Sequence, residues 1–155
     1  MELTSAHKNW IALAVFVLGC LAIGFSSSLL SSASSGYTGL DMPPLSPPGI
    51  LFPIAWTILY ILMGISIWSV YRSGGDKLYY ILFAVQLVLN FVWTPIFFTM
   101  GDRMLALADL TLLWITVFAM IYFVREDKLA FYTLIPYILW LTFAAYLNIG
   151  AILLN

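Results

Sequence analysis

The sequence predicts an all-α membrane protein, a bundle of five transmembrane helices, and three observations carry that expectation. Hydrophobic residues make up 63% of the chain and charged residues 8%, against roughly 45–50% and 25% in soluble domains. The apolar residues fall into five runs, each long enough to cross a hydrocarbon layer about 30 Å thick. Short clusters of Gly, Asp, Arg and Lys that end helices separate most of these runs. A chain of 155 residues cannot bury several such helices in a soluble core. No polar stretch is long enough to fold alone, so one membrane domain over residues 1–155 is expected.

The first span, residues 10–30, follows a polar start that carries Glu2, His7 and Lys8. A secretory signal peptide is the rival reading, because Lys8 precedes an apolar run ending in small residues around Ala33, but that run is long for a signal core. The spacing of Gly19, Ala22 and Ser26 would let another helix approach closely. Cys20, the single cysteine, reads as a small core residue. Residues 31–46 form the one long connection, and its Tyr37, Leu40 and prolines suit either a lid over a pocket mouth or a plain connector.

The second span, 47–71, is expected to start sharply, with Ser46 capping a helix whose first positions are Pro47 and Pro48. Phe52, Trp56, Tyr60, Gly64 and Trp68 recur every four residues and so share one helix face. In the third span, 78–100, Gln86, Asn90 and Thr94 form a polar stripe beside Trp93 and Phe97. Amides at membrane depth are costly unless paired or facing a cavity, so this stripe should point inward. Pro95 frees the carbonyl of Phe91 from its helical bond, which predicts a kink or a spare acceptor there.

The fourth span, 104–124, contains Asp109, about 9 Å along the helix from Arg103. It reads as a hydrogen-bonded or Arg-paired packing residue, with proton handling as the alternative. In the fifth, 129–154, Pro136, Trp140, Ala144 and Asn148 again recur every four residues. Lys8, Arg72, Lys77, Arg125 and Lys128 fall on the N-terminal side and Arg103 alone on the other, which predicts a cytoplasmic N-terminus and an external long loop.

Several chemistries are not expected. A net charge of −1 gives no footprint for nucleic acid. One histidine, in the polar N-terminal start, and one cysteine, inside an apolar span, suggest no metal site. No phosphate-binding glycine loop or Ser-His-Asp set stands out, and a lone intramembrane Asp109 is little for a pump. What remains is indoles and amides on helix stripes: Trp56 with Tyr60, Asn90 with Trp93, Trp140 with Asn148. They suit a flat, largely apolar ligand with a few polar edges, or else simply pack the helices. Trp10, Trp68 and Trp114 fit the packing or interfacial reading.

Five motifs in order carry a resemblance over nearly the whole chain. Tyr37 and Leu40 precede PPLSPPG (43–49) and FPIAWTILYILMG (52–64), followed by QLVLNFVWTPIFF (86–98), ALADLTLLW (106–114) and IPYILWLTFAAYLN (135–148). With these the chain resembles the TspO/MBR family, the translocator proteins or tryptophan-rich sensory proteins. The resemblance implies a five-helix bundle, a homodimer, and binding of porphyrins such as protoporphyrin IX and of benzodiazepine- or isoquinoline-type ligands. The matching pocket residues are Tyr37 and Pro47 in the loop; Phe52, Trp56 and Tyr60 on the second helix; and Asn90, Trp93 and Thr94 on the third. Leu110 matches on the fourth helix, and Trp140, Ala144 and Leu147 on the fifth.

The implied role is a sensor, scavenger or transport partner in porphyrin handling and stress response, with a small-molecule transporter as a further reading. It needs no cofactor, porphyrin being ligand or substrate. Family members are also credited with light- and oxygen-dependent porphyrin breakdown, for which Trp56 and Trp140 would be the catalytic candidates. Two departures qualify the match. Leu45 stands where many relatives carry a tryptophan, and no basic residue follows Tyr146, so the sterol pattern is missing and a cholesterol site is not expected. The absence of a basic tail fits a bacterial inner membrane better than a mitochondrial one.

Overall fold

The computed structural model describes the backbone of residues 2–30 and 39–155, with side chains at 9–29 and 39–155. Its helices are α1 (Glu2–Leu30), α2 (Leu51–Ser73), α3 (Lys77–Pro95), α4 (Arg103–Phe123) and α5 (Lys128–Leu154). A π-helical turn, Ile96–Met100, follows α3 without a break. All five helices are long and apolar enough to cross a membrane, and no strand occurs among the described residues, as the sequence predicts. Neighbours run α1 to α2, α2 to α5, α5 to α4, α4 to α3 and α3 back to α1, so the helices close into a ring.

The short connections are built alike. Gly74 and Gly101 turn the chain in the left-handed region, at φ 67° and 68°, where a missing Cβ removes the steric penalty. Aspartates then cap the following helices: Asp76 accepts from the Leu78 N–H, Asp102 from Leu105 and Asp127 from Ala130. Asp127 also accepts from the hydroxyls of Ser69 and Ser73, tying the end of α2 to the start of α5.

The start of α2 differs from expectation. Ser46 does not cap it, because the Ser46 hydroxyl donates to the Pro43 carbonyl at 2.6 Å inside a turn of its own. Two further turns, Leu51 N–H to Pro48 O and Phe52 N–H to Gly49 O, carry the chain around before the helix begins at Leu51 rather than Pro47. The described part of the long connection is fastened to the end of α5. Tyr146 donates to the Pro44 carbonyl at 2.6 Å, and the Asn155 amide exchanges two hydrogen bonds with the Asp41 backbone. Tyr37 lies outside the described residues.

Asp109 faces inward with Leu110 and Leu113. The expected pairing with Arg103 does not form, since six residues turn a helix by about 240° and leave the two side chains on different faces. The one ion pair among the described residues is Arg125–Glu126, at 3.5 Å. Pro95 has the predicted effect. The freed Phe91 carbonyl accepts from the Ser27 hydroxyl at 2.7 Å, a bond that joins α1 to α3.

The half of the ring near the short α2–α3 and α4–α5 turns is solid. Met63, Tyr79, Phe83, Val117, Met120 and Leu134 fill it together with buried Cys20. Closure of α1 on α2 falls at Gly64 and Gly24, not at the expected Gly19, Ala22 and Ser26, of which Ala22 and Ser26 are exposed. The inward face of α1 is instead the one with Val17, Cys20, Gly24 and Ser27. A Cβ on Gly64 would lie 2.5 Å from the Val17 Cα, whereas nothing lies within 4 Å of one on Gly19. Gly64→Ala is therefore expected to force the helices apart and cost about 1–3 kcal/mol, while Gly19→Ala leaves the fold unaffected. Thermal unfolding in detergent checks this, and equal melting temperatures for the two variants would contradict it.

Candidate functional site

The other half of the ring, beneath the long connection, holds a cavity of about 1140 Å³. Small-molecule sites are roughly 300–1,000 Å³, so this one accommodates a large ligand. Four helices wall it: α1, α2, α3 with its π turn, and α5, together with Gly49 and Ile50 from the connection. No Asp, Glu, Lys, Arg or His contributes to the wall among the described residues.

On α2 the aromatic stripe divides. Successive i+4 positions drift by about 40° around a helix, so Phe52, Trp56 and Tyr60 face the cavity while Gly64 meets α1. Trp68 lies farther along, its indole N–H donating to the Asn9 carbonyl and its ring stacked on Trp10. Trp56 is the centre of a ring cluster, 5.8 Å from Tyr60 and 6.4 Å from both Tyr137 and Trp140. Phe52 meets Trp140 edge-on at 5.9 Å. On α3, Trp93 stacks against Phe97 at 5.0 Å.

The floor is a chain of buried hydrogen bonds across three helices. The Tyr60 hydroxyl donates to Asn90 Oδ1 at 2.6 Å, and Asn90 Nδ2 donates to the Tyr137 hydroxyl at 2.8 Å. Tyr137 in turn donates to Gln86 Oε1 at 2.9 Å. The inward stripe of Gln86 and Asn90 is thus observed, with amides that meet each other's partners.

Most residues named from the sequence gather at this cavity. Phe52, Trp56, Tyr60, Asn90, Trp93 and Thr94 line it, as do Trp140, Ala144 and Leu147. Leu110 is buried behind Trp93, at a separate void of about 10 Å³. Pro47 sits in the turn before Gly49 and is not part of the wall.

Two contributions, the α1 wall and Tyr137, escaped sequence reasoning. The α1 wall, with Leu18, Leu21 and Phe25, gave no signal because that helix is apolar all round. Asn148, paired with Trp140 on the sequence stripe, lines the cavity as that stripe predicts. Tyr137 was overlooked, although a phenol hydroxyl inside an apolar run at membrane depth demands a partner. Tyr137→Phe would orphan Asn90 Nδ2 and Gln86 Oε1. It is expected to cost about 1–3 kcal/mol, read as a lowered melting temperature, while the same change at exposed Tyr132 has no effect.

Comparisons with known proteins agree with this architecture. The family model described as the TspO/MBR family matches residues 14–154. The chain is 41% identical to the tryptophan-rich protein TspO of Chlorobaculum tepidum, over 96% of this chain and 99% of that one. It is 34% identical to the tryptophan-rich sensory protein of Cereibacter sphaeroides, covering 96% and 94%, and 33% identical to the translocator protein of Sus scrofa, covering 90% and 87%. With a family match over residues 14–154 and five helices long and apolar enough to cross a membrane closed into one ring, the chain belongs to the TspO/MBR family as an integral membrane protein.

Proposed function

We propose that this protein binds a tetrapyrrole of the protoporphyrin IX or haem type, as a sensor, scavenger or transport partner in porphyrin handling and stress response. The observation that supports it best is the uncharged cavity of about 1140 Å³ whose wall carries Trp56, Trp93 and Trp140. Indole faces stack on a flat macrocycle, and the absence of fixed charge suits its apolar body. The name of the Cereibacter sphaeroides relative, tryptophan-rich sensory protein, favours the sensor among the three roles. Isoquinoline- and benzodiazepine-type compounds, smaller flat apolar molecules, would compete for the same space.

A second reading, light- and oxygen-dependent porphyrin breakdown, draws on the contact of Trp56 and Trp140, two oxidisable rings 6.4 Å apart at the wall. Titration of the full chain in nanodiscs with protoporphyrin IX, in the dark and then in light, separates the two. Saturable quenching of tryptophan fluorescence is expected, and Trp140→Ala should weaken binding about tenfold. Unchanged affinity in that variant would overturn the binding reading. Light-dependent loss of the Soret band to one product, slowed when both tryptophans become phenylalanine, would put the enzyme first.

A further inference from the structure

The residues that line the cavity are not equally sheltered. Those on α3 and α5, such as Trp93, Trp140 and Leu147, are buried or half-buried. Leu18, Ala22 and Phe25 of α1 and Pro53 and Thr57 of α2 line the same space and are exposed, Leu18 by 63% and Phe25 by 67%. An opening shows as exposure along its two rims, and here the rims are the facing edges of α1 and α2.

Helix geometry locates the gap. At about 100° per residue, Phe25, Leu18 and Ala22 stand roughly 80°, 100° and 140° around α1 from Val17, in the sense opposite to Ser27. Val17 meets Gly64 of α2 and Ser27 reaches α3, so residues on the far side of Val17 lie outside the ring. They nevertheless border the cavity that Trp140 lines. On α2, Pro53 falls between Tyr60 and Gly64 around the axis and Thr57 about 20° beyond Gly64, on the stripe that meets α1. The two helices touch only deeper, at Gly24 against Tyr60 and Val17 against Gly64. One to two turns nearer the connection Ser27 holds α1 to α3, and Pro53 and Thr57 are left uncovered. Both rims belong to the membrane-crossing segments Asn9–Leu29 and Leu51–Ser73, so the gap faces hydrocarbon. Leu18, Ala22, Phe25 and Pro53 offer it only carbon side chains, and the Thr57 hydroxyl already donates to the Pro53 carbonyl at 2.7 Å.

We propose that this gap is an acyl-chain site: one hydrocarbon tail of a bilayer lipid lies between the two rims, and its end reaches Trp56 inside the cavity. An apolar slot left empty forfeits dispersion contacts that a chain supplies, and the uncharged wall beyond it asks for no polar partner from the tail. The headgroup stays at the membrane surface. Without another ligand the cavity is thus partly filled by lipid, and a flat apolar molecule that binds there displaces the tail into the bilayer. The site goes beyond the tetrapyrrole reading and does not depend on it.

The test places the full chain in nanodiscs of phosphatidylcholine that carries a photoactivatable diazirine on one acyl chain, and maps the labelled residues by mass spectrometry. Label is expected on Trp56 and Trp140 as well as on outward residues such as Ile115 and Leu139. Ala22→Phe fills one rim and should remove most of the label from Trp56 and Trp140 while leaving that on Leu139. Val15→Phe, on the same face of α1 two turns deeper and away from the cavity, should change neither. If Ala22→Phe fails to fold, Thr57→Phe blocks the opposite rim and decides in its place. Wild-type label confined to outward residues would overturn the site, and so would interior label that persists in the blocked variant.

Discussion

Inside a hydrocarbon layer a polar side chain has no water to turn to, and the structure depends on how this chain meets that constraint in the run Tyr60–Asn90–Tyr137–Gln86. Asn90 and Tyr137 each accept and donate, so removing either leaves two buried groups unmatched. Those bonds fix the rotation of α2, α3 and α5 about their own axes. Each of the three helices carries an indole roughly one turn nearer the long connection on the same side: Trp56 before Tyr60, Trp93 after Asn90, Trp140 after Tyr137. The hydrogen-bonded floor therefore aims the rings. Asn90 contributes to the site chiefly as a positioning residue, because both ends of its amide are already engaged.

The remaining wall is attached differently. The described part of α1 spans with few polar groups, and it is held by two close approaches to α2 and by the bond from Ser27 to the Phe91 carbonyl. That carbonyl is free because Pro95 supplies no N–H, and the backbone then runs on as a π turn carrying Phe97 and Phe98 into the cavity wall. One proline thus supplies an anchor for α1 and reshapes the segment beside the ligand space. Below this level the ring is packed solid with Met63, Val117, Met120 and Leu134, and above it the helices enclose space.

What could be read from the sequence follows from the kind of force involved. Helix number and the inward stripes were legible because apolar length and polar residues at four-residue spacing report directly on bilayer physics. Pro95 was legible because its missing donor has one local consequence. The start of α2 was not, since Ser46 could either accept from a helix N–H as a cap or donate to a nearby carbonyl, and in the turn through Pro43 its hydroxyl donates. The role of α1 was hidden for another reason. A helix apolar on every side has no periodic signal to say which face meets protein and which meets lipid, and Gly24 rather than Gly19 made the close approach. Asn148 was visible as a stripe residue, but whether its oxygen is satisfied depends on the Arg103 carbonyl, which no pattern on α5 can reveal.

A cavity without charge has limited means to choose among flat apolar molecules. Stacking on Trp56 and Trp140 rewards any planar ring system, and each added contact discriminates by only about 0.5–1.5 kcal/mol. Rejection of a wrong ligand is stronger where it strands a buried polar group, because that group's lost hydration is not recovered. The floor amides are already matched within the protein, so they exert no such selection. The wall therefore favours flatness rather than one particular outline, through rings that the Tyr60–Tyr137 chain aims.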